Sequence, residues 1–177
     1  MEVIKVFYST TEEEPIAKYR RHFDSQCKQI ERLLDVKLDI AYWKDMAGGL
    51  GKTAQEVIDR RTVGKYDIYF GVMGTKFGRG TEHEYRIAVE QFIKNGRPIF
   101  VSFGFCDAPV DPYTIDLKSF AKLKKFQTDL GTGKTYKRAN LYFKFRDKTT
   151  FANAVNNNLK EAVSLIKGRV AGGARFK

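Results

Sequence analysis

Short apolar runs alternate with amphipathic stretches along the whole chain, and this alternation narrows the choice of fold more than any other feature. VIKVFY (3–8) reads as a buried strand. Ile16, Tyr19, Phe23, Cys27, Ile30, Leu33 and Leu34 then recur three and four residues apart, which places them on one face of a long helix. VKLDIAYW (36–43) is the second strand, followed by a glycine-rich loop, DMAGGLGK (45–52), and a helix from Thr53 to Val63. YDIYFGVMG (66–74) and PIFVSFG (98–104) are the third and fourth strands. Between them lies a helix with Tyr85, Ala88, Val89 and Phe92 on its inner face. A variable segment, 105–138, precedes the fifth strand, ANLYFKF (139–145), and Phe151, Val155, Leu159, Val163 and Ile166 form one stripe of a last helix.

A crossover helix between successive strands implies a parallel sheet covered on both faces. The economical solution is a three-layer, flavodoxin-like α/β domain with five parallel strands in the order 2-1-3-4-5. Ligands of such sheets bind beyond the carboxyl ends of the strands, at the switch point between the first and third. Three polar loops are expected there: STTEEEP, KDMAGGLGK and MGTKFGRGTEHE. The domain is expected to span 1–166. Residues 167–177, ending in GRVAGGARFK without apolar periodicity, read as a basic, glycine-containing tail or linker to further sequence.

At 177 residues, 42% apolar and 30% charged, the chain has the make-up of one globular domain rather than a disordered segment. Nothing approaches the run of about 20 apolar residues that a membrane span needs, and MEVIKVFYST lacks a signal peptide's layout, so the expected address is cytoplasmic. Two cysteines, Cys27 and Cys106, suggest neither a disulfide framework nor a metal site. The net charge of +11 is unevenly placed: residues 1–114 hold 17 basic and 17 acidic residues, residues 115–177 hold 15 and 4. That excess suits nucleic acid, an acidic partner or a phosphate-bearing ligand, and equally a solvated basic surface. The basic-aromatic interleaving of KLKK (122–125) and KTYKRANLYFKFRDK (134–148) resembles a single-strand binder, but strand alternation explains it as well, and nucleic acid is not the favoured partner.

Two stretches nearly spell a phosphate loop. In GGLGKT (48–53) and LGTGKT (130–135) the leading glycine of G-x-x-x-x-G-K-[ST] is replaced by Met46 and Thr128, which disfavours nucleoside triphosphate hydrolysis. Contact of Lys52 or its neighbouring amides with a ligand phosphate stays open. Thr81 and Glu84 fit a capping box, T-x-x-E, in which each side chain bonds the other residue's amide. Against that structural role stands position. This helix begins at the carboxyl edge of the third strand after glycines 71, 74, 78 and 80, which allow close approach of a ligand. A carboxylate at Glu84 would there stabilise the positive charge that develops on a sugar as a glycosidic bond breaks, or attack the anomeric carbon. Glu82 is the weaker candidate. Trp43 and Phe77 are candidates for stacking on a base, with core packing as the alternative. His22 and His83 read as surface residues, and a Cys106–His83 pair as coincidence.

FYST (7–10), the loop after the second strand, QEVID (55–59), YDIYFGVMGTKFGRGTEHEY (66–85) and GRPIFVSF (96–103) resemble the TIR-like superfamily, especially its divergent bacterial branch. The strand, G-T-x-x-E, helix, G-[KR]-P, strand arrangement is also similar to that of nucleoside 2-deoxyribosyltransferases. The likeness covers 1–166 in architecture and 55–103 closely. It implies that Glu84 cleaves an N-glycosidic bond, with Tyr8, Ser9 and Thr10 lining the pocket from the first strand. Trp43, Asp45 and glycines 48, 49 and 51 would frame its second side, with Gly74, Phe77 and Thr81 on the third loop. The implied substrate is NAD or a related nucleotide, with no cofactor or metal required. The implied setting is bacterial antiphage defence or signalling, with self-association and a fused or partner sensor domain. Non-catalytic nucleotide sensing or protein interaction, and deoxyribosyl transfer, are the alternatives.

Overall fold

The computed structural model describes residues 1–11, 14–42, 64–109, 111, 113–133 and 142–171. Five strands, β1 (Glu2–Thr10), β2 (Val36–Tyr42), β3 (Ile68–Met73), β4 (Phe100–Cys106) and β5 (Phe143–Phe145), form one sheet in the order β2-β1-β3-β4-β5. Every pairing is parallel: Val6 lies opposite Ile40 and Ile68, and Phe70 opposite Ser102. The described helices are a single turn α1 (Glu14–Ala17), α2 (Tyr19–Leu34), α3 (Arg79–Asn95), α4 (Leu117–Gly131) and α5 (Lys148–Ala171). This is the expected flavodoxin-like arrangement.

Strand alternation sorts the core into two layers. Ile4, Val6 and Tyr8 of β1 and Ile68, Phe70 and Val72 of β3 pack with Phe23, Cys27 and Ile30 of α2 and with Phe151, Val155 and Leu159 of α5. Phe7, Tyr69, Met73, Phe103 and Phe105 turn the other way, onto Tyr85, Ala88 and Val89 of α3 and Leu123, Phe126 and Leu130 of α4. All six residues of β3 are buried, as a central parallel strand requires. A Cβ added at Gly71 would lie 2.6 Å from the Phe103 ring and 2.9 Å from that of Tyr69, so glycine is needed for those aromatics to close over the strand.

Two expectations change. The segment 105–138 holds the helix α4, whose Asp116 accepts hydrogen bonds from the amides of Lys118 and Ser119. Its buried positions, Leu123, Phe126, Gln127 and Leu130, carry the helical spacing, which the helix's four lysines, at 118, 122, 124 and 125, obscure in the sequence. α5 continues to Ala171, so residues 167–171 are helical rather than tail. Lys167 donates to the Leu34 carbonyl at 2.5 Å and Arg169 to that of Gly96 at 3.3 Å. LGTGKT begins at the carboxyl end of α4, where a helix presents carbonyls rather than the amides a phosphate needs. The expected helix 53–63 lies outside the described residues.

Candidate functional site

The switch point falls between β1 and β3, and the two strands diverge in chemistry just there. Ser9 follows Phe7 on the α3 side of β1 and is buried. α3 starts at Arg79 with Gly78 as its N-cap. Thr81 is therefore the third residue of the helix, and the expected capping box does not form. A Cβ at Gly78 would meet Thr11 Cγ2 at 2.5 Å, so this turn lies directly against the end of β1, where the Thr11 amide bonds the Val72 carbonyl at 3.3 Å. With the helix starting three residues earlier than the capping reading required, Glu84 lies in its second turn and faces inward.

The Glu84 side chain accepts a short hydrogen bond at Oε2 from the Ser9 hydroxyl, and the residue keeps 6% of its surface exposed. Tyr69 completes the group, donating its hydroxyl to the Thr81 carbonyl at 3.1 Å. Burial first, and then the Glu84 charge, push the Tyr69 phenol well above its ordinary value, while a hydrogen bond with Ser9 acts in the opposite sense. Tyr69 consequently stays a neutral donor at any physiological pH. The result is a buried carboxylate with two hydroxyl-bearing side chains around it, at the carboxyl edge of the sheet. A carboxylate so oriented is suited to meet an electron-poor carbon.

Of the other expected residues, Gly74 is buried directly after β3 and Thr10 is half-buried at the end of β1. Thr81 is buried. Phe77 is half-buried, its ring edge-on to Phe126 at 6.0 Å and its amide donating to Ser119 Oγ at 2.8 Å, which is the core role rather than an open stacking surface. Tyr8 points to the opposite face of β1 from Ser9, where its ring stacks on Phe23 at 4.2 Å and it is 1% exposed. The expectation that it lines the same pocket wall as Ser9 is corrected by strand alternation, which sends neighbours to opposite faces. Its hydroxyl has no hydrogen-bond partner among the described residues. Nearby, Tyr42 donates to Asp24, and the Arg20 guanidinium lies 3.6 Å from the Tyr42 ring centre.

Trp43, Asp45, Gly48, Gly49, Gly51 and Lys52 lie outside the described residues. Glu82, the weaker acid, pairs with Arg86 one turn on at 2.5 Å, and His83 is exposed. Cys106 ends β4 rather than lying in a loop, and burial raises the Cys27 thiol far above its usual value. Tyr69 and Thr11 were not singled out from sequence; a tyrosine inside an apolar run carries no signal beyond core. Among the described residues no group of three or more His, Cys, Asp or Glu could hold a metal ion, and no helix is long and apolar enough to cross a membrane.

No protein-family model matches the chain, and no curated protein matches it in sequence. Among solved structures it is similar to a conserved protein from Enterococcus faecalis, at 12% identity over 88% of this chain and 98% of that one, with a TM-score of 0.49. It is also similar to general stress protein 14 of Treponema denticola, determined in complex with FMN, at 11% identity over 93% of this chain and 98% of that one, with a TM-score of 0.38.

Proposed function

We propose that the chain is a TIR-like N-glycosidase that cleaves the nicotinamide–ribose bond of NAD or a related nucleotide, with Glu84 as the catalytic acid residue. The observation that carries the reading is the buried Glu84 carboxylate held by Ser9 at the switch point. As the C1′–N bond lengthens, its electron pair leaves with the base, and the pyridinium of NAD departs as neutral nicotinamide. Positive charge then grows on the ribose. The Glu84 carboxylate stabilises that charge, or bonds C1′ as a ribosyl ester. Water adds to C1′, releases one proton and leaves ADP-ribose. Ser9 holds one carboxylate oxygen so that little reorganisation is needed as charge develops. In keeping with the resemblance, activity is switched on by assembly in a bacterial defence or signalling system.

The test is base release from concentrated protein given NAD or, separately, deoxynucleosides, for the parent chain and for Glu84→Gln. Glutamine still accepts from Ser9 but carries no charge, so the fold is kept while cleavage is lost. Turnover on deoxynucleosides alone would move the reading to deoxyribosyl transfer. Turnover that survives in Glu84→Gln would remove Glu84 from the chemistry and leave a structural Ser9–Glu84 bond, whereas no turnover by the parent chain on either substrate is the result expected of a non-catalytic sensing or interaction module.

A further inference from the structure

α4 packs on the sheet with Leu123, Phe126, Gln127 and Leu130 turned inward, and its opposite face is basic. Lys118, Lys122 and Lys125 follow at spacings of four and three, all exposed, and form one stripe about 10 Å long. Like charges at that spacing repel along a helix and lower its stability. None of the three has an acidic partner among the described residues, whereas Lys124, on the flank, lies 3.9 Å from Asp107. Lys144 adds to the same side. Phe143 and Phe145 of β5 turn toward the layer of α2 and α5, so strand alternation sends the exposed Lys144 toward that of α4. Of the acids on and beside α4, Asp116 is held as its cap and Asp129 is half-buried at the far end.

Two apolar side chains stand at the head of the stripe. Leu117, the first residue of α4, is 72% exposed, and Tyr113, four residues earlier, is 96% exposed. The rings that alternate with lysine in the sequence are turned away from solvent. Phe126 is buried, Phe120 packs against the core with the Lys124 ammonium 5.1 Å from its ring centre, and Tyr142 lies edge-on to Phe105 at 5.2 Å. A single-stranded nucleic acid stacks its bases on open rings, and these three are closed. A phosphate backbone also gives Leu117 nothing apolar to enter.

We infer that this face of α4 docks on an anionic phospholipid surface. Its lysines meet the headgroup phosphates, Leu117 enters the boundary of the acyl chains, and Tyr113 sits at headgroup level, where a ring with a polar tip is favoured. α4 carries four lysines and no arginine. Lysine is a point charge on a flexible stem, suited to a fluid array of phosphates that offers no fixed geometry for a guanidinium fork. The contact is peripheral, since no described helix is long and apolar enough to cross a membrane. It does not rest on the chemistry at Glu84.

The experiment is co-sedimentation of the full chain, without NAD, with vesicles of phosphatidylcholine alone or with about 30% phosphatidylglycerol, at roughly 50 and 500 mM salt. The expected result is partition onto the anionic vesicles at least about tenfold above the neutral ones, falling steeply at the higher salt. Lys118→Gln with Lys122→Gln and Lys125→Gln, which relieves repulsion along the helix and so keeps the fold, lowers that partition at least about tenfold. Leu117→Ser lowers it about threefold. Lys28→Gln with Arg32→Gln and Lys160→Gln removes the same charge from α2 and α5, on the other side of the sheet, and changes it less than about twofold. Equal partition onto both kinds of vesicle, or an equal loss in the two triple variants, would overturn the inference. So would a single strand of about 20 nucleotides that binds more tightly than the anionic vesicles at matched phosphate and is indifferent to Leu117→Ser, which would assign the face to nucleic acid.

Discussion

Ser9 and Tyr8 are neighbours on β1, yet they meet opposite conditions. Ser9 faces α3 and gives its hydroxyl to a buried carboxylate. Tyr8 faces α2 and keeps its hydroxyl without a partner among the described residues, inside an aromatic cluster of Phe23, Phe70 and Tyr42. On one face a costly polar group is brought in and oriented; on the other, ring packing is strong enough to tolerate an unpaired hydroxyl. Burial pushes the Tyr8 phenol well above its ordinary value, so it carries no charge at neutral pH. The helix starts repeat the contrast. α4 begins on the capping Asp116, and Asp147 accepts from the Thr150 amide at 2.8 Å at the start of α5, whereas α3 begins on Gly78, pressed against Thr11. Side-chain caps anchor α4 and α5, whereas close backbone packing seats the helix that carries Glu84.

Substitutions on the two faces should separate these roles. The largest effect is expected from Glu84→Gln, with base release from NAD lowered at least ~100-fold while circular dichroism and the melting curve change little. Gly71→Ala, which drives a methyl group into Phe103 and Tyr69, should cost about 2–3 kcal/mol in urea denaturation and lower activity only through stability. Ser9→Ala withdraws a hydroxyl from the buried carboxylate and is expected to cost about 1–3 kcal/mol at pH 7, with kcat falling more than KM rises. Tyr8→Phe should leave turnover unchanged and raise stability by up to about 1 kcal/mol, because it deletes an unpaired buried polar atom. A melting point that drops in Tyr8→Phe would mean the hydroxyl has a partner after all, and the contrast between the faces would fail. Glu82→Ala, which breaks only a part-exposed pair with Arg86, should stay within about 0.5 kcal/mol by the same denaturation.

Much of this was legible from residue order. Ile4, Val6, Phe70 and Val72 announced strands buried on both sides, and the stripe from Phe151 to Ile166 announced a helix packed on one side. α4 was hidden because lysines at 118, 122, 124 and 125 obscured the spacing of Leu123, Phe126 and Leu130. The site was half legible. Glu84 and Ser9 were both singled out, but their bond joins residues 75 positions apart and no local pattern records it. Thr81 and Glu84 matched a local capping pattern that the fold did not use.

The sequence by itself determined the strands, most helices and the parallel order, because periodicity of apolar residues is a local property that burial then enforces. Only the tertiary structure decided that Gly78 is the N-cap of α3, which turned Glu84 from a cap into a buried carboxylate facing Ser9. The physical reason is that a helix start is set by what the preceding turn can pack against. Here glycine at 78 let that turn lie against Thr11, a contact between residues 67 positions apart along the chain.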